Sequence, residues 1–151
     1  MDQKNKWHLF VDGAARNNPG PAGAGIYLTK HQKKELALGF FLGTKTNNQA
    51  EYLALLIGLI LTLPKIGSDH LQIVSDSLLL VNQLNGIYRV KNPELQILHH
   101  KALKLLANIS YDVVHVLREK NKFADEMANF GIDNQITLSY EIKEKLNEAN
   151  L

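Results

Sequence analysis

The chain has 151 residues, with 17 lysines and arginines against 15 aspartates and glutamates, for a formal net charge of +2. That length fits one domain, 1–151, able to bury roughly 70% of its unfolded surface, and 45% hydrophobic with 21% charged residues is ordinary for a globular protein. The lack of cysteine excludes disulfides and thiolate metal sites. The charge is too small to announce a nucleic-acid binder, and "MDQKNKWHLF" has no apolar leader. We therefore expect a cytoplasmic protein, a monomer, with no membrane contact and no obligate protein partner.

Trp7–Asp12 alternates in polarity and reads as a first strand that Asp12 closes. The loop rich in glycine and proline that follows leads to a second strand, Ala24–Thr29. "KHQKK" reads as a polar hairpin turn before a third strand, Glu35–Leu42. From "TKTNNQAEYLALLIGLILTL" the period changes: Ala50, Leu53, Ala54, Ile57 and Leu61 share one helical face. Asn47 or Asn48 is the expected N-cap, and Pro64 and Gly67 the expected end. Leu71–Asp76 is a short, nearly unbroken apolar strand, the pattern of a parallel strand covered on both faces. A short helix runs to Asn85-Gly86, a C-cap signature. Another starts near Pro93 and runs to about Ala107. "DVVHVL" is a fifth strand. "NKFADEMANFG" is a helix capped by Asn121 and closed by Gly131, and about 138–150 reads as a terminal amphipathic helix. The expected fold is α/β, a five-stranded mixed sheet with helices on both faces: hairpins make the early half antiparallel, and later crossovers make the other half parallel.

Four acids stand out on this frame. Asp12 and Asp76 end strands, where open α/β sheets bind ligands. Glu51 lies one turn into the first long helix, and Asp125 in the first turn of the last. Each has a bland reading: Asp76 as an N-cap beside Ser75 and Ser77, Asp125 as a carboxylate favoured by the helix dipole, Glu51 as a solvated helix residue. Asp12 resists one, because its neighbours are apolar and a lone buried carboxylate is costly.

Taken with their surroundings, these residues resemble the type 1 ribonuclease H family. "FVDGAARNNPGPAGAG" is similar to its first-strand motif, "TNNQAEYLALLIGL" to its "TNN-x-x-E" helix, "IVSDSLLLVNQLNG" to its third acidic motif and "REKNKFADEMAN" to its fourth. The four lie in order across roughly residues 7–131. The resemblance implies the ribonuclease H-like fold. It also implies endonucleolytic hydrolysis of the RNA strand of RNA–DNA hybrids to 5′-phosphate and 3′-hydroxyl ends. Asp12, Glu51, Asp76 and Asp125 match the family's catalytic carboxylates, which hold two Mg²⁺ ions, with Mn²⁺ as a substitute. Hard cations of this kind want oxygen ligands. Gly13, with Ala14 and Ala15, leaves room for a nucleic-acid backbone. Asn18, Asn47 and Asn48 match positions that contact the hybrid, and Thr46 one that binds a DNA-strand phosphate. Turn and capping chemistry accounts for the same asparagines.

The sequence departs from the common family pattern in three places. Leu78 stands where many members carry a substrate-contacting glutamine. The stretch from Gly86 to Pro93 has no room for the basic helix and loop with which some members grip the hybrid. The loop "LREKNKF" before Asp125 lacks a histidine that many members place there. This compact form is similar to archaeal-type members and to retroelement domains. Arg118 is the candidate to replace the histidine, by holding the phosphate; Glu119 is its rival, by receiving a proton or drawing metal from product. His115 reads as structural and Tyr88 as a packing residue. The alternative function is a hybrid- or double-stranded-RNA-binding module that has lost catalysis. A junction resolvase or exonuclease fits "TNN-x-x-E" poorly.

Overall fold

The computed structural model describes residues 5–148. Its elements run β1 (Lys6–Ala15), β2 (Gly20–Lys30), β3 (Lys33–Lys45), α1 (Asn47–Ile66), β4 (His70–Ser75), α2 (Leu78–Leu84), α3 (Pro93–Leu106), β5 (Tyr111–His115), α4 (Lys122–Asp133) and α5 (Tyr140–Glu148). The sheet order is β3-β2-β1-β4-β5. β1, β2 and β3 pair antiparallel, while β1, β4 and β5 run parallel. This is the mixed five-stranded sheet expected.

The early strands are longer than expected at both ends, β2 starting at Gly20 and not Ala24 and β3 running to Lys45 and not Leu42. β1 does not end at Asp12: Gly13, Ala14 and Ala15 continue the ladder against Ala24, Gly23 and Ala22. These small residues, which read as loop, are strand, and Asp12 lies inside a paired segment. β2 and β3 meet at His31 and Gln32, with φ of 54° and 64°. Two successive left-handed residues make the turn whose twist suits a tight hairpin, so pairing extends to Lys30 and Lys33.

α1 is the fold's central helix. Its N-cap is Thr46, not Asn47 or Asn48. Thr46 Oγ1 accepts from Gln49 N at 3.1 Å and Gln49 Oε1 accepts from Thr46 N at 2.9 Å, a reciprocal capping box. Pro64 lies inside the helix, which runs on to Ile66 and ends at Gly67, φ 54°. By length and composition α1 would be able to cross a membrane. Here it is apolar because most of it is buried inside the protein: Leu9 and Val11 of β1 lie against Gly58, and α3 and α5 pack on it as well. Leu55, Leu56, Ile57 and Leu59 of α1 join Leu9, Ile26, Leu71 and Ile73 of the sheet in one buried cluster, all fully shielded from solvent.

α4 covers the other face, over β2 and β3. Gly25, paired with Asp12, lets it in: a Cβ there would stand 1.8 Å from the Ala124 carbonyl oxygen. α4 passes through Gly131 and ends at Asp133, two residues beyond the expected stop. β5 ends at His115, short of the expected Leu117: Val116 N still donates to the Ser75 carbonyl, but β4 stops there and a 3-10 turn, Arg118–Lys120, follows at once. α5 falls within the expected terminal helix and buries Ile142; the last expected residues, 149–150, lie outside the described ones. The connection 85–92 carries no helix, so the family's basic insertion is absent there.

Candidate active site

The parallel pairing of β1 and β4 sets the site. Val11 sits beside Ser75, so the next residues along, Asp12 and Asp76, emerge side by side. Asp76 follows the last residue of β4 and is not an N-cap. Ser77 caps α2 instead, accepting from Leu80 N at 3.2 Å.

Glu51 comes from α1, whose close approach to β1 depends on Gly13. A Cβ on Gly13 would lie 2.1 Å from Ala50 C and 2.2 Å from Glu51 N, so only glycine fits. The same approach brings Gly13 N to Glu51 Oε1 at 2.6 Å. Glu51 is only 9% exposed, which removes the reading as a solvated residue.

Oxygens of Asp12, Glu51 and Asp76 lie within 4.8 Å of one another. Asp125, in the first turn of α4, comes within hydrogen-bond reach of a protonated Asp12. It also faces Arg118, whose Nη2 is 3.8 Å from Asp125 Oδ1. Burial, with Glu51, Asp76 and Asp125 adding repulsion, pushes the Asp12 carboxyl up to about 9. Burial, with Asp76 adding repulsion, pushes Glu51 up to about 8, against the pull of the Gly13 N–H and of Arg118. Burial and mutual repulsion thus favour the protonated form of both carboxyls, and a bound cation would reverse that preference. The donors are all oxygen, clustered and short of positive charge, which suits a hard divalent ion such as Mg²⁺.

The carboxylates line a cleft of about 370 Å³ together with Gly13, Ala14, Ala15, Asn47 and Arg118. Arg118 is therefore at the site. Glu119, its neighbour in the 3-10 turn, is exposed and does not line the cleft. The predicted contact residues cluster beside it. Asn18 Oδ1 accepts from Asn47 N at 2.9 Å, and Asn47 Oδ1 accepts from Ala15 N at 3.1 Å. Among the described residues the Nδ2 donors of Asn18, Asn47 and Asn48 have no protein partner. Asn18, Thr46 and Asn48 line a second cleft of about 260 Å³ with Gln49, Asn92 and Glu94.

Sequence reasoning missed Asn121. Its position predicts only a cap for α4, yet its side chain makes no capping bond. Asn121 is 1% exposed and donates instead to the Val11 carbonyl at 2.9 Å and Asp76 Oδ2 at 3.1 Å. No signal beyond its place four residues before Asp125 marks it.

Comparison with known proteins decides the family. A model described as reverse transcriptase-like matches residues 10–131. Ribonuclease HI of Halobacterium salinarum is 36% identical over 134 residues, spanning 87% of this chain and 67% of that protein. The chain belongs to the type 1 ribonuclease H family. The crystal structure of the Halobacterium ribonuclease H1 superposes with a TM-score of 0.81 over 85% of this chain and 98% of that one. A structure of LC11-RNase H1 in complex with an RNA/DNA hybrid is 35% identical, TM-score 0.80, covering 85% and 97%. The bifunctional protein Rv2228c of Mycobacterium tuberculosis is 36% identical over 83% of this chain, which spans only 35% of it. A structure of the N-terminal RNase H domain of that protein, fused to maltose binding protein, is 34% identical with a TM-score of 0.81, covering 86% of this chain and 95% of that one.

Proposed function

We propose that this ribonuclease H relative is a metal-dependent endonuclease that cuts the RNA strand of RNA–DNA hybrids, leaving 5′-phosphate and 3′-hydroxyl ends. The observation that carries the reading is the convergence of Asp12, Glu51 and Asp76 within 4.8 Å, where burial and the neighbouring acids penalise negative charge on Asp12 and Glu51. A fold has no use for such repulsion, while a divalent metal relieves it. The hybrid bound by the similar LC11 enzyme supports the substrate class.

Asp12, Glu51, Asp76 and Asp125 would hold Mg²⁺, or Mn²⁺ in its place. A bound pair of such ions supplies a nucleophile at neutral pH and neutralises charge on the attacking and leaving oxygens. The chain's own residues do the rest. Gly13, Ala14 and Ala15 carry no bulk that would keep a phosphate backbone from the acids. Asn18 and Asn47 spend their carbonyls on the protein, so their N–H groups face outward as donors for the 2′-hydroxyls and minor-groove edges that distinguish RNA from DNA. Asn48 adds a third such donor. Thr46, which lines the second cleft, would hold a phosphate of the DNA strand. Arg118 cannot serve as a base; its guanidinium at the cleft holds the scissile phosphate and offsets charge in the transition state.

Incubation with end-labelled RNA–DNA hybrid, duplex DNA and duplex RNA, with and without Mg²⁺, tests this. Cutting of only the hybrid's RNA strand, abolished by EDTA, is expected. Cleavage undiminished in excess EDTA refutes the metal reading, and tight hybrid binding without cleavage would establish the binding-module alternative.

A further inference from the structure

We propose that Asn121 is a positioning residue of the metal site, fixing Asp76 and the start of α4 together so that the third and fourth carboxylates face the same point. The proposal rests on the metal reading above. Its basis is how completely this side chain is committed. Asn121 is 1% exposed, and both hydrogens of its one NH₂ are used: one on the Val11 carbonyl at 2.9 Å, one on Asp76 Oδ2 at 3.1 Å. Val11 precedes Asp12, so a single amide ties the backbone beside the first acid to the carboxylate of the third. The Asn121 backbone carbonyl accepts from Asp125 N at 3.1 Å, which ties in the fourth.

The remaining atom shows that stability alone did not choose this residue. Asn121 Oδ1 is buried with no hydrogen-bond partner among the described residues, and an unsatisfied buried acceptor is destabilising. A side chain selected to fill the space would avoid that cost with an apolar group. Asparagine supplies two donors diverging from one nitrogen, where aspartate would repel Asp76 and serine has a single O–H. Occupying Oδ2 of Asp76 with an N–H leaves Oδ1 as the free ligand atom and fixes the carboxylate's rotation. Partners of this kind change metal affinity by about 10–100-fold.

The experiment is a Mn²⁺ titration, followed by paramagnetic relaxation, of the parent, Asn121→Ala and Asn121→Ser without nucleic acid. Hybrid cleavage is measured in parallel across metal concentrations. The expected result is a loss of roughly tenfold or more in Mn²⁺ affinity in both variants. A fall in kcat with little change in KM, restored by raising the metal concentration, should accompany it. Purely structural damage would not be restored that way. Metal affinity within twofold of the parent, with only a lower melting temperature, overturns the proposal. So does failure of both variants to fold, which would make Asn121 a residue of the fold and not of the site. A parent that binds no Mn²⁺ instead overturns the metal reading itself.

Discussion

Asp12→Asn should stabilise the protein in the absence of metal, by an amount that grows with pH. The folded carboxyl titrates at about 9 against an ordinary 3.8. A group whose pKa is raised by folding binds more protons in the native state, so stability is greatest below the ordinary value and falls as pH climbs towards the folded one. Neutral pH lies about three units into that window, and each unit is worth ~1.4 kcal/mol. The cost of holding Asp12 in place at pH 7 is then up to about 4 kcal/mol, and coupling to its neighbours spreads part of it over Glu51. Asparagine keeps the shape and sheds the cost. For a chain of this size about 1 kcal/mol moves the melting temperature by roughly 2–4 °C, so the gain at pH 7 is on the order of 5–15 °C.

The assay is thermal melting of parent and Asp12→Asn in EDTA at pH 4, 6 and 8, repeated with Mg²⁺. The two should melt together at pH 4 and diverge upward. Added Mg²⁺ should raise the parent and close the gap, since metal supplies the counter-charge that the neutral variant no longer requires. A variant that melts at or below the parent in EDTA at pH 8 refutes the argument. A gain that ignores pH would show that shape, not charge, was the cause.

Glu51→Gln and Asp76→Asn, like Asp12→Asn, should lower hybrid cleavage by orders of magnitude while circular dichroism stays native; near-full activity in any one removes it from the site. Without the basic insertion few phosphates should be neutralised, and binding should lean on Lys91 and the exposed part of "HHKALK"; His99 is spent on the Gln83 carbonyl at 3.2 Å. The plot of log affinity against log salt should be shallow, and a slope implying more than about six phosphate contacts would reveal a basic surface elsewhere. Arg118→Ala should lower kcat by roughly 10²-fold, as loss of one preorganised donor does, while Glu119→Gln, exposed and off the cleft, should be nearly silent; the reverse order of effects would transfer the role to Glu119.

What could be read in advance was whatever leaves a chemical mark on the chain. A carboxylate among apolar residues, such as Asp12, is conspicuous because burial penalises it, and the periodic change at "TNNQAEYL" announces α1 whatever packs on it. The errors fell where small residues carry more than one meaning. Gly13–Ala15 reads as loop because glycine and alanine are poor evidence for strand, yet these residues are strand for a tertiary reason: α1 presses on Gly13. Thr46 takes the cap because Gln49 stands ready three residues on to complete the capping box, which frees Asn47 to face the cleft. Asn121 is the hardest to see. It bears no charge, its position suits a cap, and its partners, Val11 and Asp76, are 110 and 45 residues away along the chain. A site built of repelling acids needs neutral donors to aim them, because a lysine or arginine inside the cluster would neutralise the charge that draws the metal. The residues that shape such a centre are therefore those a sequence marks least, and the one cation among the described residues lining this cleft, Arg118, stands at its rim, 81% exposed.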